Sequence, residues 1–247
     1  MIKNIIMIRK RFFLFLLLFN LFLSLTVYAK PVIKYEGYTD TWKKVTYELL
    51  EPEKRAHYTK LIMEEMAKYP DEYFKTIDLE VIVIVKNLKF DNVYRASVPD
   101  NYKRILFMGI RSDYRDDYLR HVYHHEKNHY AEFYIWKNYR YDWPEWRKLY
   151  ESTKRGGETA YQNGEDRSVG VYRKDLVGFL NTYSTLGQEE DRSEMIAYFL
   201  TDSENKLFME KAKNDKIFYQ KAVLLFTLYK EKLNFDLLKL FLSKANG

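Results

Sequence analysis

The chain has 247 residues, a net charge of +6 and no cysteine. That length suits one packed domain with a short appendage, and the missing thiols exclude disulfides, thiol catalysis and every cysteine-based zinc site. Four of the six excess positives (Lys3, Arg9, Lys10 and Arg11) fall in the first 29 residues, which hold no acid. Only two remain elsewhere, too few for a nucleic-acid footprint.

Residues 1–29 read as a signal peptide. A basic start precedes the apolar run Phe12 to Val27, and Val27-Tyr28-Ala29 supplies the small residue for cleavage after Ala29. The run is interrupted by Asn20 and falls short of the ~20 residues that span a bilayer, so export is favoured over a retained anchor. The expected location is therefore secreted or periplasmic, with no stable membrane association once the signal is removed.

Residues 30–247 are expected to form one domain. Apolar residues at mixed three and four spacings, with Pro52 near the start and Pro70 after the end, predict a helix over Glu51 to Tyr69. The period then changes to that of strands: Ile77 to Phe90, centred on Val81-Ile82-Val83-Ile84-Val85, then Val93 to Val98 and Arg104 to Ile110. A long helix follows, with Ser112 as expected N-cap, running to Tyr134 or Trp136. From 138 to about 175 the aromatic and turn-rich sequence reads as a loop or insertion. Its rings Tyr139, Tyr141, Trp143, Trp146 and Tyr150 suit either a cleft lining or a local core. Helices are expected again over Gln188 to Thr201, Glu204 to Leu233 and Phe235 to Lys244.

Within the long helix stands His125-Glu126-Lys127-Asn128-His129, the H-E-x-x-H pattern. At 3.6 residues per turn the two histidines share a face and can hold one zinc ion, while Glu126 beside them can take a proton from the attacking water. His121 lies four residues earlier on that face and is expected to flank the site, His124 to pack against neighbours, and His57 to be ordinary. A third ligand is sought on a second helix. Glu190 and Glu194, four apart, offer one carboxylate for the metal and one to brace a ligating imidazole, with Glu189 a neighbouring rival. Tyr183, seven residues before Glu190, can point over the metal and donate to an oxyanion.

The combination His124-His125-Glu126-x-x-His129, Gly178-Phe179-x-x-x-Tyr183 and Glu190-Asp191-x-x-Glu194 resembles bacterial zinc-binding metallopeptidases of the gluzincin kind. It is similar in motif pattern to the anthrax lethal factor catalytic domain and to the Pro-Pro endopeptidases. The resemblance implies His125, His129 and Glu190 as zinc ligands, Glu126 as general base, Tyr183 as assistant and Glu194 behind the ligands. Two departures stand out: 61 residues separate His129 from Glu190, and Arg192-Ser193 occupies the place of an aromatic-small pair. The implied fold is α+β and zincin-like, a small mixed sheet with an HExxH active-site helix and a mostly helical C-terminal half. The expected function is a zinc-dependent endopeptidase with one Zn2+, acting on a peptide or protein laid along the edge strand near Val98 to Phe107. An exported non-enzymatic binding module with a structural or vestigial zinc site is the alternative.

Overall fold

The computed structural model describes residues 30–138, 140–151 and 170–245. The expected signal segment with its cleavage point, Tyr139 and the turn signals Gly156-Gly157 and Asn163-Gly164 lie outside the described residues.

The β-branched run forms β3 (Val81–Phe90), the centre of a six-stranded sheet. Its first half pairs in parallel with β1 (Val32–Lys34) on one side and β6 (Ile105–Ile110) on the other. Its second half pairs antiparallel with β2 (Val45–Glu48) and the two-residue β4 (Val93–Tyr94). The strand β5 (Ser97–Asp100) closes the order β1-β3-β6-β5 and runs antiparallel to β6. Because side chains alternate across a strand, Ile82 and Ile84 of β3, with Leu106 and Met108 of β6, join the helical core. Val83, Val85, Ile105 and Phe107 pack on the opposite face with Val45, Leu88 and Val98.

The helices are α1 (Pro52–Met66), α2 (Asp71–Ile77), α3 (Asp116–Trp136), α4 (Pro144–Glu151), α5 (Gln188–Leu200), α6 (Asp202–Asn214), α7 (Lys216–Leu233) and α8 (Leu237–Ala245). Among the described residues none is long and apolar enough to cross a membrane. The core is rich in rings: Tyr73, Tyr123, Tyr130, Tyr198, Tyr229, Phe199, Phe208 and Phe226 are buried together.

Several boundaries differ from expectation. The helix begun at Pro52 ends at Met66, and α2 fills a stretch given no element and takes Ile77 from the expected strand, which starts only at Val81. Val93 to Val98 divides into β4 and β5. The long helix starts at Asp116, with Arg115 rather than Ser112 in the capping position and no side-chain cap. The stretch 138–175 contains α4, whose Trp146 and Tyr150 are buried, so these two rings belong to the core. The predicted helix Glu204 to Leu233 breaks at Asp215, whose carboxylate accepts from the backbone N–H of Ile217 and Phe218 and so opens α7. Of the stretch Val98 to Phe107, only the part in β5 (Ser97–Asp100) lies at a sheet edge, where Val98 and Asp100 are buried, because Phe107 sits on the interior strand β6.

Candidate metal centre

Helix α3 lies against α5, and their facing side chains build the site. His125 Nε2 stands 3.1 Å from His129 Nε2, and Glu190 Oε2 stands 3.0 Å from the first and 3.5 Å from the second. Donors about 2.0–2.2 Å from a tetrahedral zinc are separated by roughly 3.3–3.6 Å, close to this triangle. The two imidazoles and one carboxylate are also the donor types zinc takes, so the residues present fit the ion. Both histidines and Glu190 are nearly sheltered from solvent.

What orients these donors is equally visible. The Nδ1 of His125 contacts Glu194 Oε1 at 2.8 Å, which fixes Nδ1 as the protonated nitrogen and leaves the Nε2 lone pair for a metal. Glu194 is held in turn by Asn181 Nδ2, which donates to Oε2 at 2.5 Å, and by His121 Nε2 at 3.1 Å. Asn181 is held by Ser184, whose N–H and hydroxyl donate to its Oδ1 at 2.9 and 3.0 Å, and the chain reaches it through Gly178 and Phe179. The left-handed φ of +78° at Gly178 suits a residue without a Cβ, its N–H donates to Asp215 at 2.6 Å, and Phe179 is buried. This segment carries Tyr183, whose ring centroid lies 5.7 Å from that of His125.

Glu126 is partly buried and accepts from Ser97 Oγ at 2.5 Å. One helical turn later, Tyr130 donates to the carbonyl of Asp100 at 2.8 Å, so β5 is fastened to α3 at both ends. The interface of α3 and α5 is otherwise secured by Arg192, which donates to both oxygens of Glu132 at 2.5 and 2.8 Å and lies over the rings of Trp136 and Trp146. Removing one partner of such a buried pair costs roughly 3–5 kcal/mol, because the other is left uncompensated. Asn128 bridges Glu132 and Ser193 and accepts from Tyr229, and Ser193 lies 3.4 Å from His129. The Arg192-Ser193 pair, the departure noted from the resembled motif, thus helps to fasten the two helices together.

The electrostatics favour positive charge at this point. Burial works against protonation of His125, but the carboxylates of Glu190 and Glu194 outweigh it and hold the imidazole well above its usual range. His129 is raised in the same way by Glu190. Burial alone would raise Glu190 and Glu194, yet the adjacent imidazoles hold both well below the usual carboxylate range.

Each expected residue can now be placed. His125, His129 and Glu190 meet at one point; Glu194 stands behind His125, and Glu126 and Tyr183 border the cluster. Glu189 lies apart, beside Arg140. His124 is buried between Tyr69 and Glu65, and exposed His57 pairs with Asp116. A second group, His121, His125 and Glu194, also brings three donor atoms together. It shares His125 with the first, and one neutral imidazole has a single lone pair, so the two groups exclude each other. Sequence reasoning missed Ser97, Asn181 and Glu204, since none stands in a motif. The nearest available signal was Asn181, two residues before Tyr183.

No family model matches the chain, and no curated protein matches it in sequence. Its fold is similar to that of a crystal structure described as a putative zinc-binding metallo-peptidase from Bacteroides caccae, with a TM-score of 0.55 and 16% identity over 90% of this chain and 87% of that one.

Proposed function

We propose that the protein is an exported zinc-dependent endopeptidase, with His125, His129 and Glu190 as ligands. The observation that carries this reading is the triangle of donor atoms 3.0–3.5 Å apart, contributed by two helices and bordered by Glu126. The fold shared with a zinc-binding metallo-peptidase supports it, and so does the zincin-like order of sheet, HExxH helix and second acidic helix. Export rests on the sequence of residues 1–29.

Zinc, when bound, supplies Lewis acidity that polarises a carbonyl and makes water acidic near neutral pH. The chain's own residues do the rest. Glu194 sets the tautomer and angle of the His125 ring, and Asn181 keeps Glu194 from turning away. Ser97 holds one oxygen of Glu126, whose carboxylate takes the proton of the attacking water and returns it to the leaving amine. Tyr183 donates to the oxyanion as the carbonyl becomes tetrahedral. The substrate peptide lies extended beside β5, the edge strand next to the HExxH helix, and exchanges backbone hydrogen bonds with it.

A purely structural zinc is enclosed by four protein donors, whereas a catalytic one keeps a position open. Among the described residues this cluster offers three, which favours the enzyme over the binding module. The deciding experiment is a peptide-library digest with zinc-loaded protein and its Glu126→Gln variant. The variant is expected to retain zinc and fold while losing roughly 10²–10⁴-fold in rate. A variant that cleaves as fast as the wild type ends this mechanism.

A further inference from the structure

His121 precedes His125 by one helical turn, so both rings leave α3 on the same face and stand nearly parallel, with centroids 6.3 Å apart and planes 26° apart. Its side chain is only 12% exposed and has a carboxylate at each nitrogen. Nε2 contacts Glu194 Oε1 at 3.1 Å, the oxygen that also receives His125 Nδ1, and Nδ1 contacts Glu204 Oε2 at 2.7 Å. Glu204 belongs to α6, and the edge of the His121 ring meets Tyr198 of α5, 5.3 Å between centroids. One imidazole therefore joins α3, α5 and α6 at the oxygen that governs a ligand ring.

We infer that His121 is a positioning residue of the metal centre, clamping Glu194 at the same oxygen that His125 engages and tying it to α6 through Glu204. The inference rests on the zinc reading above and deepens it. Two N–H donors converging on Oε1, with Asn181 on Oε2, leave Glu194 a single orientation. Without His121, Oε1 keeps one donor and the carboxylate can swing about its last torsion, carrying the His125 ring with it. Partners behind a ligand set its angle, and their loss weakens metal binding by roughly 10–100-fold. His121 acts one step further out, so the lower end of that range applies.

The test is zinc affinity of the full chain, measured by competition with a chromogenic chelator, for wild type, His121→Phe and His121→Gln. Phenylalanine keeps a ring of similar size and removes both donors, whereas glutamine keeps one N–H for Glu194. His121→Phe should weaken zinc about tenfold while His121→Gln stays within about threefold of wild type. The visible spectrum of the cobalt-loaded protein should change in His121→Phe, which a purely structural role would not bring about. His121→Phe binding zinc as tightly as wild type, with an unchanged cobalt spectrum, overturns the inference while leaving the zinc reading intact. So does a second zinc per chain that vanishes in His121→Phe, since His121 would then be a ligand. A wild-type chain that takes up no zinc overturns the zinc reading and this inference together.

Discussion

Ser97→Ala isolates the link between the edge strand and the proposed base. The hydroxyl donates to Glu126 Oε1 at 2.5 Å from a partly buried position on β5. A hydrogen bond to a charged group contributes roughly 1.5–3 kcal/mol. If that bond holds the carboxylate in the orientation needed to accept a proton, its loss appears as transition-state stabilisation, and each 1.36 kcal/mol is about tenfold in rate. The expected effect is a fall in kcat of about 10–100-fold with KM within about twofold, because the backbone of β5, the proposed peptide-binding edge, is untouched. Ser97→Thr keeps the hydroxyl and suits a strand, so it should restore most of the loss. Steady-state kinetics on a fluorogenic peptide chosen from the library digest reads both constants. An alanine variant with wild-type kcat, or one that loses activity through KM alone, refutes the reasoning.

Two predictions concern stability. Lys127 is fully buried between Tyr69, Tyr73 and Phe74, its Nζ finds no hydrogen-bond acceptor among the described residues, and burial holds its amine well below the usual lysine range. Lys127→Met keeps the stem and removes the stranded amine, so calorimetry should show a gain of roughly 1–3 kcal/mol; a less stable variant contradicts the assignment. His124 is fully buried, and burial, with the charges of Lys68 and His121, outweighs Glu65 and lowers it from 6.5 to about 4. Between those values the unfolded chain binds the proton and the folded one does not. The contribution of His124 is then complete above pH 6.5 and falls by about 3 kcal/mol as pH drops to 4. As pH rises from 4 to 6.5, metal-free wild type should gain about 3 kcal/mol of stability relative to metal-free His124→Gln, and parallel profiles would refute the assignment. The histidines raised by carboxylates, His121, His125 and His129, act above pH 6.5, whereas buried Asp191, raised from 3.8 to about 6, opposes His124 within the window, so the difference between the two profiles isolates His124.

The elements that carry the cluster were legible because their signals are local. The β-branched run of β3 and the i, i+4 spacings in α3 and α5 depend on a few neighbouring residues. β1 and β2 are three and four residues long, with exposed and polar positions that give no strand period. α2 is a seven-residue helix, too short for a periodic pattern. The break at Asp215 interrupts an apolar pattern that continues on both sides without glycine or proline, and only the capping carboxylate marks it. In the site, residue types that can bind metal were recognisable by spacing, whereas Ser97, Asn181 and Glu204 reach their partners from 29, 13 and 83 residues away. Contacts of that kind come from the packing of β5 against α3 and of α6 and the segment leading to Tyr183 against α5, and no pattern along the chain encodes them. The same holds for Arg192: a departure from the resembled motif in sequence, it forms in three dimensions an ion pair with Glu132 that joins α5 to α3.

The central claim is that two imidazoles from α3 and one carboxylate from α5 hold a single zinc. Anomalous diffraction at the zinc absorption edge, from crystals of the zinc-loaded protein, tests it directly. The account predicts one peak at about 2.0–2.2 Å from His125 Nε2, His129 Nε2 and Glu190 Oε2. A peak seated instead among His121, His125 and Glu194, or no zinc bound by the wild-type chain, would contradict it.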